Sequence, residues 1–372
     1  MKFSDIPGHE AVKERLRAMA DSDRLPHALL LQGPAGIGKF MLARALAQYI
    51  HCENPVDGDS CGRCASCLQH QSFNHIDTIF SYPVIKKKSD PVSDDYSSEW
   101  QQFLSDSPYM DFAAWQKELG KADGQPVIYV SESNDLLRKL NFTAHSSRYK
   151  VVLMWLPERM NEGAANKLLK LIEEPFPDTR IVMVANDADK ILPTIYSRTQ
   201  RIEVKRLPDE LLAHLLEKEY GLDHADAMAV AHIANGSMIE ARHQIDLTSQ
   251  RTEQLEYFKQ MMRLAYARNV KGMKDWANEL ADLKREGVMQ FLRYCMRLVR
   301  ENFIYGLKMP EVTYLNRHEE EFSQRFARFI NERNVEQIIT QMESALTDVS
   351  GNANPKIVLF DLAIKMIILI KQ

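Results

Sequence analysis

The chain has 372 residues, a length typical of about two or three domains and sufficient for a sizeable core without cross-links. Apolar residues make up 45% and charged residues 26%, which excludes disordered, collagen-like and mucin-like chains. No stretch reaches the roughly 18 uninterrupted apolar residues that a membrane helix needs, and no apolar secretory segment follows the first methionine. We therefore expect a cytoplasmic protein without a membrane partner.

The charge balance argues against a protein that grips nucleic acid alone. Lys and Arg total 47 against 51 Asp and Glu, a formal net charge of -4. Such a protein usually carries a basic excess or a long basic stripe, and neither is present. A protein that contacts DNA as one member of an assembly stays compatible with this charge.

In chain order, the first part alternates short apolar runs with helical patterns, which predicts an α/β domain. The predicted strands cover residues 28–31, 77–80, 151–155, 181–185 and 202–204. The uninterrupted apolar run at 151–155 is typical of a strand buried on both faces of a parallel sheet. A helix is predicted from about 39 to 49.

A glycine-rich turn joins the first strand to that helix. The run from Gly33 through Gly36 and Gly38 to Lys39 matches the phosphate-loop spacing G-x-x-x-x-G-K. In such a loop the backbone N–H groups approach phosphate oxygens and the lysine reaches the outer phosphates. The next residue is Phe40, where a working loop has the Ser or Thr that binds magnesium. The alternatives are a weak, vestigial nucleotide site and a loop kept only for its turn.

The second magnesium ligand is also missing. In phosphate-loop ATPases a second apolar strand ends in an Asp, which in AAA+ proteins is followed by a Glu that activates water. Trp155 and Leu156 occupy these positions, and Glu158 lies two residues beyond the catalytic place. Metal electrostatics supply much of phosphoryl-transfer catalysis, so we predict a phosphate-loop fold that does not hydrolyse ATP, with ATP binding doubtful.

Four of the five cysteines fall within 16 residues, in the spacing C-x8-C-x2-C-x2-C. In a reducing compartment this pattern indicates metal ligands rather than disulfides. Cys52, Cys61, Cys64 and Cys67 are therefore predicted to form a closed, structural zinc site. Four reduced thiols without a metal are the alternative. The distant Cys295 is predicted to be a small core residue.

Residues 83–126 break the α/β pattern. They begin with three lysines and several acidic residues, with aromatics later, and we interpret them as an inserted, solvated and partly mobile loop. After residues 207–208 only helical patterns remain, with a likely break at Gly236 in the unit 209–246. The almost wholly apolar segment 357–370 is predicted to be a helix buried by its own domain or by a partner subunit.

Taken together, these features resemble the delta-prime subunits of the bacterial DNA polymerase III clamp loader, an AAA+ family. The resemblance rests on residues 24–30 leading into the phosphate loop, on the four-cysteine module after the first helix, and on segments 164–175 and 192–200. It implies an AAA+ core with parallel sheet and zinc module over 1–207, a helical lid over 208–247 and a helical collar over 248–372.

The resemblance also implies roles for single residues. In clamp loaders a Ser-Arg-Cys motif presents its arginine across a subunit boundary to the ATP of the neighbour. Here the motif is Ser197-Arg198-Thr199, which makes Arg198 an arginine finger in trans. The alternative is that Arg198 caps the preceding helix. Asn186 matches the sensor-1 position, and Ile239 stands where the sensor-2 arginine is expected.

The implied function is a non-catalytic subunit that helps to load the sliding clamp onto primed DNA during replication. It would join a hetero-oligomer with the motor (gamma/tau) and delta subunits through the collar, and would contact the clamp and primer–template DNA within the complex. It would be a nucleotidyltransferase only as a member of the polymerase complex. The alternatives are an active motor ATPase of the gamma/tau type and a zinc-knuckle nucleic-acid-binding protein.

Overall fold

The structure is a computed structural model that describes residues 1–87, 89–120, 125–308 and 315–371. It divides into two compact units, Met1–Gln244 and Ile245–Gln372. Among the described residues, no helix has the length and apolar character needed to cross a membrane. The finer division into core, lid and collar stays a prediction.

A five-stranded parallel sheet organises the first unit. Its strands are β1 (Ala28–Gln32), β2 (Thr78–Ser81), β3 (Lys150–Trp155), β4 (Thr179–Ala185) and β5 (Gln200–Glu203). The spatial order is β2-β3-β4-β1-β5, so β2 and β5 are the edge strands. Every strand overlaps the segment predicted from the sequence. The carboxyl ends of all five strands share one edge of the sheet, where the phosphate loop follows β1.

Helices cover both faces of this sheet. The first unit contains the helices α1 (Glu10–Asp21), α2 (Lys39–His51), α3 (Ala65–Gln71), α4 (Ser97–Asp106), α5 (Phe112–Glu118), α6 (Val130–Leu140), α7 (Glu162–Glu173), α8 (Pro193–Tyr196), α9 (Asp209–Tyr220) and α10 (His224–Ala234). Leu136 of α6 and Leu168 of α7 pack with Val152 of β3 and Ile181 of β4 in one buried cluster. Burial on both faces explains why β3 is an uninterrupted apolar run.

The remaining described helices are α11 (Met238–Ala267), α12 (Val270–Ala281), α13 (Lys284–Gly306), α14 (Arg317–Phe326), α15 (Val335–Ser350) and α16 (Pro355–Leu369). The second unit is held by one apolar cluster that includes Trp276, Phe291 and Met366. Cys295 is fully buried in this cluster, as predicted. The predicted fold class, a phosphate-loop α/β core with a parallel sheet followed by helices, is confirmed.

The prediction of a solvated loop over residues 83–126 was wrong for the described part of that segment. Helices α4 and α5 form there, and Trp100 and Trp115 are fully buried. The Trp100 ring stacks on Tyr82 at 3.8 Å and meets Trp115 edge-on at 5.1 Å. The large aromatic surface removed from water outweighs the polar start of the segment. Residues 88 and 121–124 of the predicted loop lie outside the described residues.

Candidate functional site

The phosphate loop lies between β1 and α2 and is packed closely by its own chain. A methyl group at Gly33 would lie 2.3 Å from the carbonyl oxygen of Val204, and one at Gly36 would lie 2.3 Å from Ser237 Oγ. The carbonyl of Gly36 accepts a hydrogen bond from the Met238 amide at 2.9 Å. Gly38 precedes α2 with positive φ. The glycines therefore serve close packing as well as the turn.

Lys39 is occupied by contacts within the chain. Its side chain is buried, with 4% of its surface exposed, and its ammonium donates to the Pro34 carbonyl and to Asn186 Oδ1, the latter at 2.9 Å. Burial lowers the pKa of Lys39 to about 7, and the nearby Glu158 only partly opposes this. The structure thus brings together two predicted nucleotide-site residues that lie far apart in the sequence.

Aromatic rings occupy the two positions at which the sequence predicts that magnesium ligands are missing. The Phe40 ring lies 5.9 Å from the Trp100 ring and 6.4 Å from the Phe80 ring. The Trp155 ring lies 5.5 Å from Trp100 and 5.7 Å from Phe103. A hydrated divalent cation requires oxygen ligands, which this cluster of apolar rings does not offer.

Glu158 supports a loop at the carboxyl edge of the sheet. Its Oε1 accepts hydrogen bonds from the backbone amides of Asn186 at 2.8 Å and Asp187 at 3.2 Å. Its second oxygen is buried and has no hydrogen-bond partner among the described residues. Burial raises the pKa of Glu158. The carboxylate therefore holds Asn186 in position for Lys39.

Arg198 follows the short helix α8 and stays accessible. Its Nη1 donates to the Thr194 carbonyl at 3.0 Å, which is the helix-capping contact considered above. Its Nε pairs with Glu173 Oε1 at 2.9 Å, and 43% of its side chain is exposed. The guanidinium is thus oriented by two partners but keeps donors that can reach a ligand from outside the chain.

The four predicted cysteine ligands converge. One sulfur from each of Cys52, Cys61, Cys64 and Cys67 lies within 4.8 Å of the others, and the sulfurs of Cys61 and Cys67 are 3.9 Å apart. A tetrahedral thiolate site with metal–sulfur bonds of about 2.3 Å places its sulfurs about 3.8 Å apart. The residues therefore fit a closed four-thiolate metal site.

Backbone amides support charge on this sulfur cluster. The Cys61 amide donates to Cys52 Sγ at 3.2 Å, and the Cys64 amide donates to Cys61 Sγ at 3.3 Å. Amides of Arg63 and Cys64 lower the pKa of the Cys61 thiol to about 6, whereas burial raises the pKa of Cys52 and Cys67. Metal binding would release the protons of the buried thiols.

Three imidazoles pack together near the cysteine cluster, a feature that sequence reasoning missed. His51 and His70 are joined between Nδ1 and Nε2 at 2.9 Å, and the His75 ring stacks on both at 4.4 Å between ring centroids. His51 Nε2 lies 2.9 Å from the Tyr149 carbonyl, which only accepts, so His51 Nδ1 accepts from His70. Hydrogen bonding and stacking hold the three rings together, and one nitrogen from each ring lies within 4.8 Å of the others.

Comparison with known proteins identifies relatives of this chain. Residues 8–208 match the family model described as "DNA polymerase III, delta subunit". The chain is 25% identical to DNA polymerase III subunit tau of Escherichia coli K12 over 250 residues, which cover 67% of this chain and 32% of that protein. It is 31% identical to DNA polymerase III subunit delta' of Pseudomonas aeruginosa over 172 residues, covering 46% of this chain and 41% of that protein.

The similarity to these relatives covers part of their length. The aligned region spans about a third of the length of the tau proteins and just over half of the gamma protein. Among solved structures, a gamma subunit-related protein of Thermotoga maritima aligns with 96% of this chain and 99% of that chain, at 14% identity and a TM-score of 0.38.

Proposed function

The chain belongs to the DNA polymerase III clamp-loader subunit family, and on that premise we propose that it is a delta-prime-type subunit that does not hydrolyse ATP itself. The observation that carries this proposal is the packing of Phe40 and Trp155 in one aromatic cluster at the two magnesium positions. Without magnesium, the transferred phosphoryl group loses the main charge that stabilises its transition state.

The contacts of Lys39 support the same proposal. A nucleotide would have to displace Pro34 and Asn186 from the ammonium, and the lowered pKa of Lys39 weakens its charge at neutral pH. The phosphate loop is therefore a structural element in this subunit, and nucleotide binding is weak at most.

Arg198 is the residue through which this subunit would act on a motor neighbour. Its exposed guanidinium is held by Glu173 and Thr194 close to the surface. An arginine finger stabilises developing charge on the γ-phosphate of an ATP bound by the adjacent subunit. In this role the chain completes an active site that it does not contain.

Helix α16 supports assembly with other subunits. Its buried side holds Leu362 and Met366, while Ile357, Ile364 and Ile368 remain exposed. Such an apolar face is typical of a subunit interface. We place motor and delta subunits on this face, so that the complex, in the cytoplasm, seats the sliding clamp on primer–template DNA.

The cysteine cluster would hold a structural Zn²⁺. The four sulfurs offer a complete tetrahedral set, which leaves no open coordination position for a substrate. The metal would link the segment that follows α2 to α3, because Cys52 comes directly after α2 and Cys67 lies within α3.

The test is clamp- and DNA-stimulated ATP turnover by motor and delta subunits in the presence of wild-type chain, Arg198→Ala or Arg148→Ala. Arg148 is a matched control, because it is an exposed arginine with one carboxylate partner, located before β3 and away from the carboxyl edge of the sheet. A finger is worth about 10³–10⁵ in rate at its site, so the contribution of that site should vanish with Arg198→Ala only.

The chain alone serves as the second arm of this experiment. It should release no phosphate from ATP. Hydrolysis by the isolated chain that is lost in Lys39→Ala would overturn the proposal in favour of an active motor of the gamma/tau type. Equal turnover with wild type and Arg198→Ala would remove the arginine-finger role.

A further inference from the structure

A cavity of about 870 Å³ runs along β2 at the edge of the sheet. Trp100 and Gln101 of α4 line one side, Arg138 and Lys139 of α6 line the other, and residues of β2 lie between them. We call this cavity the β2 groove. Within the described ranges β2 pairs only with β3, so its second side faces the groove rather than another strand.

The backbone register shows which groups of β2 face the groove. The Asp77 carbonyl accepts from the Val151 amide at 2.9 Å, so alternate residues from Asp77 onward bond to β3. The backbone of Thr78 and Phe80 consequently faces away from the sheet. The Thr78 amide donates to the His75 carbonyl at 3.0 Å. The Thr78 carbonyl and the amide and carbonyl of Phe80 are therefore directed to the groove. An edge of this kind is a template for a further strand.

A cation in the groove favours an anionic partner from outside the chain. Lys150 is 8% exposed, and its ammonium donates to the Lys139 carbonyl but meets no carboxylate within 4 Å among the described residues. The ammonium lies 6.0 Å from the centre of the Phe142 ring, and the Asp77 carboxylate acts on it only from beyond 4 Å. A carboxylate in direct contact with the ammonium would therefore be favoured.

The open edge of β2 matches a short extended segment. Tyr82 follows β2, while Lys150 begins β3 beside the start of β2. The four residues of β2 give this edge a length of roughly 10 Å, at about 3.3 Å per residue.

Exposed apolar side chains border the groove near Lys150. Phe142 is 70% exposed and Ile76 is 57% exposed, and both line the cavity. The other two cations of the groove are paired, because Lys139 contacts Asp94 and Asp135 and Arg138 contacts Asp135. The groove therefore presents apolar surface, open strand edge and one cation, Lys150, that has no carboxylate in direct contact among the described residues.

We propose that the β2 groove binds an extended segment of a partner protein, which adds to β2 as a further strand and places a carboxylate against Lys150. Main-chain hydrogen bonds to Phe80 give this segment affinity, and its apolar side chains cover Phe142 and Ile76. The residues that line the groove do not include Arg198, the phosphate loop or the four cysteines.

The first test uses a library of phage-displayed random octapeptides. Phage that bind the Phe142→Asp variant are removed first, and the remaining phage are selected for binding to the full wild-type chain. The expected binders carry one acidic residue among alternating apolar residues. Ile233→Asp is the matched control, because Ile233 is a similarly exposed isoleucine, 62% exposed, on α10. Selected peptides should bind wild type and Ile233→Asp equally. Failure to enrich any peptide over the depleted background would overturn the proposal.

The second test measures contacts that the selection does not impose. Lys150→Gln should weaken binding of the selected peptide about tenfold, equivalent to about 1.4 kcal/mol. Methylation of alternate backbone nitrogens of the peptide should abolish binding. Addition of the peptide to wild-type chain should shift one indole N–H resonance, which Trp100→Phe lacks. An unchanged affinity for Lys150→Gln, full binding of the methylated peptide, or an unshifted Trp100 resonance would each refute strand addition at this groove.

Discussion

Acidification should destabilise the folded chain through the buried imidazoles of His51 and His70. Burial lowers the pKa of His51 to about 3 and that of His70 to about 2, whereas a histidine in an unfolded chain has a pKa of about 6.5. Below about pH 6.5 these two imidazoles therefore bind protons in the unfolded chain but not in the folded chain. The stability contributed by the neutral rings is complete above about pH 6.5 and falls as the pH decreases toward the folded pKa values.

The expected loss follows from this difference in bound protons. Between about pH 7.5 and about pH 5.5, each imidazole lowers the free energy of unfolding by about 1.4 kcal/mol, so the pair accounts for about 3 kcal/mol. His75, whose pKa is also lowered by burial, adds in the same direction. Urea unfolding at both pH values, with zinc held constant, measures the change.

The control is the double variant His51→Gln, His70→Gln. Protonation of the cysteine sulfurs also destabilises the fold at low pH, but it contributes to wild type and variant alike. The variant should therefore lose about 3 kcal/mol less than wild type over the same interval. Equal losses in the two proteins would show that these imidazoles are not kept neutral by burial, and the reasoning would be refuted.

Three further changes test other parts of the structure. Trp155→Asp removes a buried indole and inserts a carboxylate among aromatic rings, so it should lower the free energy of unfolding by at least about 3–5 kcal/mol in urea titrations and create no ATP hydrolysis. Cys64→Ser should release bound zinc, measured by atomic absorption, and lower the melting temperature, whereas Cys295→Ser should keep the metal. Glu132→Gln should raise the melting temperature at neutral pH but not near pH 4, because burial raises the pKa of Glu132 and makes its ionised form costly. Glutamine can still accept the hydrogen bond that the Ser93 amide donates to Glu132 at 2.7 Å.

The sheet could be predicted because each strand carries its own signal. A parallel strand buried on both faces needs a short, continuous apolar run, and 151–155 and 181–185 are such runs. The phosphate loop could be placed for a similar reason, since its glycine spacing is local. The cysteine cluster was equally visible, because two of its ligand pairs are separated by only two residues.

The segment after β2 was misread because its first residues are strongly charged. The signal that would have corrected the prediction lies in the spacing of Tyr96, Trp100 and Phe103, which recur at helical intervals of four and three residues. Tyr96 lies directly before α4, and the three rings share one face of this helical segment. All three are buried. Weighting aromatic periodicity above the charge run would have predicted an ordered helix.

Contacts between distant residues could not be predicted in this way. Lys39 and Asn186 are 147 residues apart and meet only because β1 and β4 are neighbours in the sheet. His51, His70 and His75 come from α2, α3 and the turn before β2. A single sequence contains the residues of such contacts but not their pairing.

The glycines of the phosphate loop have a structural role that does not depend on magnesium or nucleotide. Side chains at Gly33 and Gly36 would collide with Val204 and Ser237 at 2.3 Å, and Gly36 has φ of 76°, which favours glycine. Both clashes are with this chain itself, so the constraint holds whether or not a nucleotide binds. The motif therefore identifies the fold, whereas the residues after it, beginning with Phe40, decide whether the fold can hydrolyse ATP.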